Sequence, residues 1–432
     1  MHSATRLSFD VAVVGGGPAG IAAAAVAAES GASVVLVDDN PGLGGQIWRG
    51  ESKASHYPKA ANWFERLQKS PATVIGSAQV FHAERGILGV ECGDATYGIA
   101  HRKLILATGA RERFLPFPGW TLPNVFGAGG LQALVKQGLP VVGKSVVIAG
   151  TGPLLLAVAF YLKERGAKVV CICEQTTRRK FNRFGLNMLL VRGKMREALH
   201  LGWGIRNIPH YTDCWPVAAM GTDRLERVRL SHQGKIREID CDYLACGFHL
   251  IPNLELDKLI GCRLLDGFVE VDEYQQTSAP GVFCAGEPTG IGGLELALIE
   301  GQIAGYAASN QKNHARELFG ERAAFQKVVR LLIDAFSLRS ELKALAQPDT
   351  LVCRCEDLSL RHLQQYGSWR DAKLQARCGM GPCQGRVCGA AAEFLFGWDV
   401  SSIRPPLFPV RCSSLAAIMP GAKTERINGG IQ

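Results

Sequence analysis

Six of the fourteen cysteines fall between Cys353 and Cys412, and their spacing is that of a thiolate metal site. Cys353-Arg354-Cys355 is followed after 22 residues by Cys378-Gly379-Met380-Gly381-Pro382-Cys383. Four thiolates suffice for a 2Fe–2S centre, and glycines in the second loop leave backbone N–H groups free to bond the cluster sulfurs. Zinc also takes four thiolates. Its structural sites usually space them by two to four residues, however, and the one-residue gap between Cys353 and Cys355 fits that poorly. Free thiols are the third reading, and Cys388 is a nearby fifth thiol that spacing alone leaves in play as a substitute ligand. The other eight cysteines are scattered, several in apolar runs such as Val169–Glu174, and read as reduced core residues. Residues 1–10 carry no export signal, so the clustering points to metal binding in a reducing compartment, not to a disulfide framework.

A second kind of chemistry is written in glycine. The apolar run Phe9–Val14 leads into Gly15-Gly16-Gly17-Pro18-Ala19-Gly20, then an alanine-rich helix to about Ser30, then a strand Ser33–Val37 ending at Asp38. Gly15 permits the tight turn, Gly17 lets the backbone approach a pyrophosphate, and Gly20 allows close helix–strand packing at a helix N-terminus that favours negative charge. Asp38, 18 residues past Gly20, stands where a carboxylate accepts from ribose hydroxyls. The set predicts dinucleotide binding. A second unit runs from Ser145–Ala149 through Gly150-Thr151-Gly152-Pro153-Leu154-Leu155 to a strand Lys168–Cys173 ending at Glu174. Leu155 replaces its third glycine, which should push the helix from the strand and loosen a phosphate cradle. Glu174 would repel a 2′-phosphate, so a nicotinamide cofactor there would be NAD and not NADP. The competing reading is a nucleotide fold kept for architecture.

Further motifs must sit beside these turns. Leu104–Leu106 runs into the small-residue turn Ala107-Thr108-Gly109-Ala110, and Thr277–Gly286 is another strand-to-turn with an acidic end at Glu287. Together with Gly15–Gly20 they resemble the three sequence marks of two-dinucleotide-fold flavoproteins. That resemblance implies that the first unit holds the FAD adenosine and diphosphate, and that Gly286 and Glu287 lie at the ribityl chain, with Glu where the family more often has Asp. The expected fold class is α/β: a glutathione-reductase-like protein with two dinucleotide-binding domains and a small C-terminal ferredoxin-like 2Fe–2S domain. The expected layout places a discontinuous FAD domain at 8–115 and 240–312 and an inserted second nucleotide-binding-like domain at 116–239. A helical linker with the cluster domain follows at 322–400. The arm at 401–432, with Pro405, Pro406 and Pro409, reads as extended.

The elements named so far account for a chain of 432 residues that is 47% hydrophobic and 20% charged, which is globular rather than disordered. The net charge of +9 does not require nucleic acid, because no basic stretch is interleaved with stacking aromatics. The uncharged stretches Val11–Ala28 and Ser145–Leu162 are each 18 residues long, but each is broken by a Gly-Pro turn, so neither reads as a lipid span. The basic segment Arg178–Arg196 reads as a solvated face, with docking to an acidic partner as the alternative. His249 and His200 are single imidazoles with no partner pattern, and no general base for substrate oxidation is legible.

Val352-Cys353-Arg354-Cys355-Glu356-Asp357 with Cys378–Arg386 resembles the 2Fe–2S segment of a bacterial flavoprotein family. That family contains the larger subunits of octopine and nopaline oxidases, proline and hydroxyproline dehydrogenases, and hydrogen cyanide synthase. Val37–Gln46 and Pro118-Gly119-Trp120-Thr121-Leu122-Pro123 are similar to the same family, and the match covers essentially the whole chain. The resemblance implies a cofactor set of Gly15, Gly17, Pro18, Ala19, Gly20, Asp38, Asp39, Gly45, Gln46, Ala107, Thr108, Gly109, Gly286 and Glu287. Gly150, Gly152 and Glu174 would serve any second nucleotide, and Cys353, Cys355, Cys378 and Cys383 the cluster. It also implies a smaller flavin-containing, substrate-oxidising subunit built like an amine or sarcosine oxidase. It allows a third small subunit, FMN at an interface between subunits or a second adenine nucleotide, and a cytoplasmic location reaching the inner face of the membrane by peripheral contact. The expected function is the FAD- and 2Fe–2S-containing subunit of a dehydrogenase that oxidises a C–N bond of an amino acid, imino acid or opine and relays electrons to a respiratory acceptor. An NAD(P)H-dependent reductase feeding the cluster, and a non-catalytic nucleotide-binding scaffold, are the alternatives. A disulfide reductase is disfavoured, because no cysteine precedes Cys92 and the second unit has no Cys-x-x-Cys.

Overall fold

The computed structural model describes residues 4–49, 58–189, 202–400, 403–418 and 425–426. His200, Arg192, Lys194 and Arg196 lie outside the described residues. The chain forms two units. The first comprises Met1–Arg111, Pro252–Lys327 and Ser401–Gln432, and the second Glu112–Ile251 and Val328–Val400.

In the first unit the strands Thr5–Val14, Val34–Val37, Thr73–Ile75, Ala95–Leu106 and Val282–Cys284 pair in parallel, and the hairpin Ala78–Glu84/Ile87–Cys92 extends the sheet antiparallel from Ala95–Leu106. The valine-rich ends of the first two strands are buried throughout, as parallel strands covered on both faces must be. Their register sets Val14 opposite Val37, so the Gly15–Gly20 turn and Asp38 emerge side by side. The helix Pro18–Glu29 has no polar residue before its last position, and it packs on the helix Gly293–Ala308. A Cβ on Gly301 would collide with the Ala19 carbonyl, and one on Gly305 with that of Ala23, so small residues bring the two backbones together.

The C-terminal segment departs from the extended reading. Cys412–Ile418 is a helix against the hairpin side of this sheet, where the buried Ser414 hydroxyl donates to Glu91 at 2.6 Å and accepts from Thr96 at 2.9 Å. The prolines shape only its approach; burial of Leu407 and Ala417 supplies the reason to fold back.

In the second unit the parallel order is His210–Thr212, Lys168–Glu174, Ser145–Thr151, Tyr243–Phe248, Val125–Gly127. Tyr243–Phe248, expected to begin the return to the first unit, lies instead between two parallel strands of this sheet. It is buried along its whole length, so the crossing falls at Pro252 and not at 240. Residues 340–400 add a small core of Val352, Leu363, Trp369, Ala372, Ala391 and Ala392 beneath the cysteines. The helix Trp369–Ala376 starts at Ser368, whose hydroxyl accepts from the Asp371 amide at 3.1 Å, and it stops at the left-handed Arg377 immediately before Cys378. The apolar runs Val11–Ala28 and Ser145–Leu162 both resolve into strand, turn and helix. Among the described residues no helix is long and apolar enough to cross a membrane.

Candidate functional site

The first glycine turn is built as tightly as its sequence predicts. A Cβ on Gly15 would collide with the Ala107 carbonyl, and one on Gly20 with the Gly15 carbonyl, so both positions admit only glycine. Ala107 thereby joins the two loops, and Gly109 beyond it has open space on its Cα. Thr108 is held by Asn253: its hydroxyl donates to the Asn253 carbonyl at 2.7 Å, and Asn253 Nδ2 donates to the Thr108 carbonyl at 2.8 Å. Asn253 lies far along the chain and carries no motif, so sequence reading misses it. Asp38 is buried and accepts from the Gly16 amide and, at 2.7 Å, from the Asn40 amide. Gly45 sits over Gly17, whereas Gln46 and Asp39 face solvent, with Asn40 donating to the Asp39 carboxylate at 2.7 Å. Pro18 and Ala19 form the first turn of the helix that follows.

At the other end of the same unit, Glu287 Oε1 accepts from the Gly293 amide at 3.0 Å, while Oε2 is buried with no partner among the described residues. Burial pushes its carboxyl up to about 7. The neighbouring Gly286 amide donates to Glu300 at 2.9 Å, and the Thr289 hydroxyl donates to the same oxygen at 2.8 Å. Glu300 is fully buried and likewise raised to about 7 by burial. An unpartnered carboxylate oxygen beside a glycine turn is what a sugar or ribityl hydroxyl would satisfy. The residues of this unit therefore fit FAD: a turn at a helix N-terminus, a carboxylate at the second strand, and a buried acceptor lacking its donor.

The second unit differs where it matters. Leu155 does not prise its helix away; it is buried over Gly247, where a Cβ would stand 3.2 Å from Leu155 Cδ2, so the neighbouring strand gives up a side chain to make room. Glu174 is buried, with Oε2 accepting from the Gly152 amide at 2.7 Å and Oε1 from Thr151 and the Thr176 amide at 2.8 Å each. Gly150 fits against the Gly247 backbone with no room for a side chain.

The cysteines converge. The Sγ atoms of Cys353, Cys378 and Cys388 lie within 4.8 Å of one another. Cys383 is within hydrogen-bonding reach of both Cys388 and Cys355. The Cys353 sulfur also accepts from the Gly379 and Glu356 amides, and the Cys383 sulfur from those of Val387 and Gly385. Hydrogen bonds from Cys378 and Cys388 draw the Cys353 thiol far down, and Cys388 does the same for Cys383, so both are poised as thiolates. The donor set, soft sulfur ringed by backbone N–H groups in a small apolar core, suits a metal cluster. Cys388 begins the helix Cys388–Phe396, and the turn through Gly385 carries it inward. Spacing marks it only as a substitute. The strand bearing Cys353 is fixed by Trp120, whose Nε1 donates to the Leu351 carbonyl at 2.6 Å.

The family model described as pyridine nucleotide-disulphide oxidoreductase matches residues 9–304. The chain belongs to that family. The chain is 31% identical to hydrogen cyanide synthase subunit HcnB of Pseudomonas protegens, across 94% of this chain and 97% of the relative. It is 29% identical to an opine oxidase subunit of Agrobacterium tumefaciens, across 96% and 93%. The crystal structure of L-proline dehydrogenase from P. horikoshii shares the fold, with a TM-score of 0.66 and 20% identity over 96% of this chain and 81% of that one. The oxidoreductase fold implies FAD binding, and the chain is a flavin-dependent oxidoreductase. The matching relatives are named as subunits of larger enzymes.

Proposed function

We propose that this chain is the FAD- and 2Fe–2S-bearing subunit of a heteromeric dehydrogenase or oxidase that acts on a C–N bond of an amino acid, imino acid or opine. The observation that carries the reading is the meeting of five thiols in one unit of a chain whose other unit is built for a flavin dinucleotide. The relatives named for opine oxidation and cyanide synthesis support the C–N donor class. Their designation as subunits supports a multi-subunit complex; the partner in this reading is a smaller flavoprotein resembling amine or sarcosine oxidase that binds the substrate.

When bound, FAD supplies two-electron chemistry and a 2Fe–2S centre one-electron chemistry, which together suit relay to a respiratory acceptor. Asp38 would accept from the adenosine ribose, with Gly15, Gly17 and Gly20 admitting the diphosphate to the helix N-terminus. Glu287 Oε2 would accept from the ribityl chain, and Ala107, Thr108 and Gly109 would close around the dinucleotide under the hold of Asn253. Cys353, Cys355 and Cys383 would ligate the cluster with one of Cys378 and Cys388, while the Gly379 and Gly385 amides steady the sulfurs.

The test is an anaerobic ultraviolet–visible spectrum of the purified chain with iron and sulfide assays and identification of the released nucleotide. Flavin bands with about two irons per chain support the reading. Zinc in place of iron, or an adenine nucleotide without flavin, would return the chain to the scaffold alternative.

A further inference from the structure

In a dinucleotide fold the pyrophosphate lies at the glycine turn that opens the helix, and the adenosine ribose lies at the carboxylate ending the second strand. In the second unit those places correspond to Gly152 and Glu174, flanked by Thr151, Gln175 and Thr176. Every one of these groups is engaged from within the chain.

The end of the helix Phe319–Phe336 and the residues after it, Ala335 to Arg339, lie across this mouth. The Thr176 hydroxyl donates to the Ala335 carbonyl at 2.7 Å. The Phe336 carbonyl accepts from His249 Nε2 at 2.6 Å. Gln175 Nε2 donates to the Ser337 carbonyl at 3.2 Å, and its Oε1 accepts from the Arg339 amide at 3.2 Å. Arg339 closes the row on the Gln175 carbonyl and the Asp213 carboxylate. The Phe336 ring is 2% exposed, stands 4.0 Å from where a Cβ of Gly152 would be, and packs edge-on against Phe184 with centroids 4.9 Å apart. Glu174 accepts from the Gly152 and Thr176 amides as Asp38 does from those of Gly16 and Asn40, and in addition from the Thr151 hydroxyl. In the first unit, at the ribityl end, Glu287 Oε2 has no donor among the described residues.

We propose that residues 335–339 occupy the second dinucleotide site as a built-in ligand, so that the site is closed to NAD(H) and NADP(H) and the chain takes no reducing equivalents from a nicotinamide. A nicotinamide dinucleotide could enter only by unseating a buried phenylalanine and breaking the bonds from Thr176, His249 and Gln175 together. What the fold keeps is an anchoring role: Leu342 and Leu345, which continue from the segment toward the cysteines, sit in its core with Val147, Leu244 and Phe248. The inference stands on the fold of this unit and is independent of which C–N donor the enzyme oxidises.

The experiment uses the full-length protein with its cofactors. NADH, NADPH and NAD are each titrated to about 1 mM, a concentration at which even a weak site of that Kd is half filled. Binding is read by calorimetry and flavin bleaching, and trypsin cleavage after Arg339 is followed in parallel. The expected result is no binding, no bleaching and an Arg339 bond that resists trypsin with or without nucleotide. Two variants, Thr176→Val and Phe336→Ala, should each speed cleavage after Arg339 about five- to tenfold, the loss of roughly one hydrogen bond or more, with flavin absorbance retained as the control for folding. Micromolar binding of any of the three nucleotides to the parent protein would overturn the proposal. So would nucleotide-induced cleavage at Arg339, or cleavage in the parent as fast as in both variants.

Discussion

Gly20 lies directly beneath the Gly15 carbonyl, so close that no side chain fits between the first helix and the strand that feeds it. Gly20→Ala should therefore displace the helix N-terminus. The expected cost is about 3 kcal/mol of stability, the upper end for a forced extra methyl, accompanied by loss of flavin on gel filtration. The absorbance ratio at flavin and protein wavelengths, read with a thermal melt, checks both.

Asp38→Ala removes the acceptor of the Gly16 and Asn40 amides along with the partner expected for ribose. The unpaired amides cost stability, and a lost hydrogen bond from ribose to a charged acceptor costs about 1.5–3 kcal/mol, so dinucleotide affinity should fall roughly ten- to 150-fold. Titration of the apoprotein with FAD measures it directly; unchanged affinity would remove Asp38 from the site.

Glu300 gives a pH prediction with a definite sign. Burial raises its folded-state carboxyl to about 7, whereas the ordinary value is 4.5. The native state keeps a proton that the unfolded chain has released. The associated stability is complete below pH 4.5 and is lost as pH rises through 7. Glu300→Gln keeps an oxygen for Gly286 and Thr289 but cannot ionise. At pH 8 the apo variant should exceed its parent by about 3 kcal/mol, and at pH 4 the two should converge. Urea denaturation at both pH values decides it.

Serine substitutions sort the five thiols. Cys355→Ser and Cys383→Ser should each lose iron, and of Cys378→Ser and Cys388→Ser one should lose it while the other keeps it, because four ligands fill the centre. Iron and sulfide content per chain, beside the visible spectrum, is the readout. If all four variants retained iron, the thiols would not be its ligands.

The anchor of the cysteine strand is testable apart from its ligands. Trp120→Phe keeps the ring but strips the donor from the Leu351 carbonyl, at a cost of about 1–3 kcal/mol. The variant should surrender iron to a chelator faster than the parent while holding its flavin unchanged.

What the chain discloses in advance is what depends on neighbours in sequence. Gly15–Gly20 and Asp38 are one βαβ unit, so type and spacing suffice to place them, and the Cys-x-Cys pair is equally local. Asn253 and Phe336 act on loops more than a hundred residues away, and Glu300 reaches from its helix back to Gly286, 14 residues earlier; nothing in their own surroundings announces it. Leu155 misleads for a related reason: the glycine that accommodates it, Gly247, is a neighbour in the sheet and not in the chain. Tyr243–Phe248 misleads on the domain boundary because an apolar run states that it is buried without stating which sheet buries it. Cys388 is visible as a thiol, but its place beside Cys353 depends on the turn at Gly385.

The scattered cysteines give the protein a built-in gauge. Cys171, Cys173, Cys214, Cys241, Cys246, Cys262 and Cys284 are sealed in the two cores, out of reach of an alkylating reagent while the fold is intact, and burial lifts Cys241 to about 12 and Cys262 to about 11. Outside the converging five, that leaves the half-buried Cys92 and the exposed Cys412. A mass tag counted on the folded chain thus reads near two when the sulfur cage is filled and climbs when it empties, which turns a routine labelling experiment into an occupancy assay that needs no colour at all.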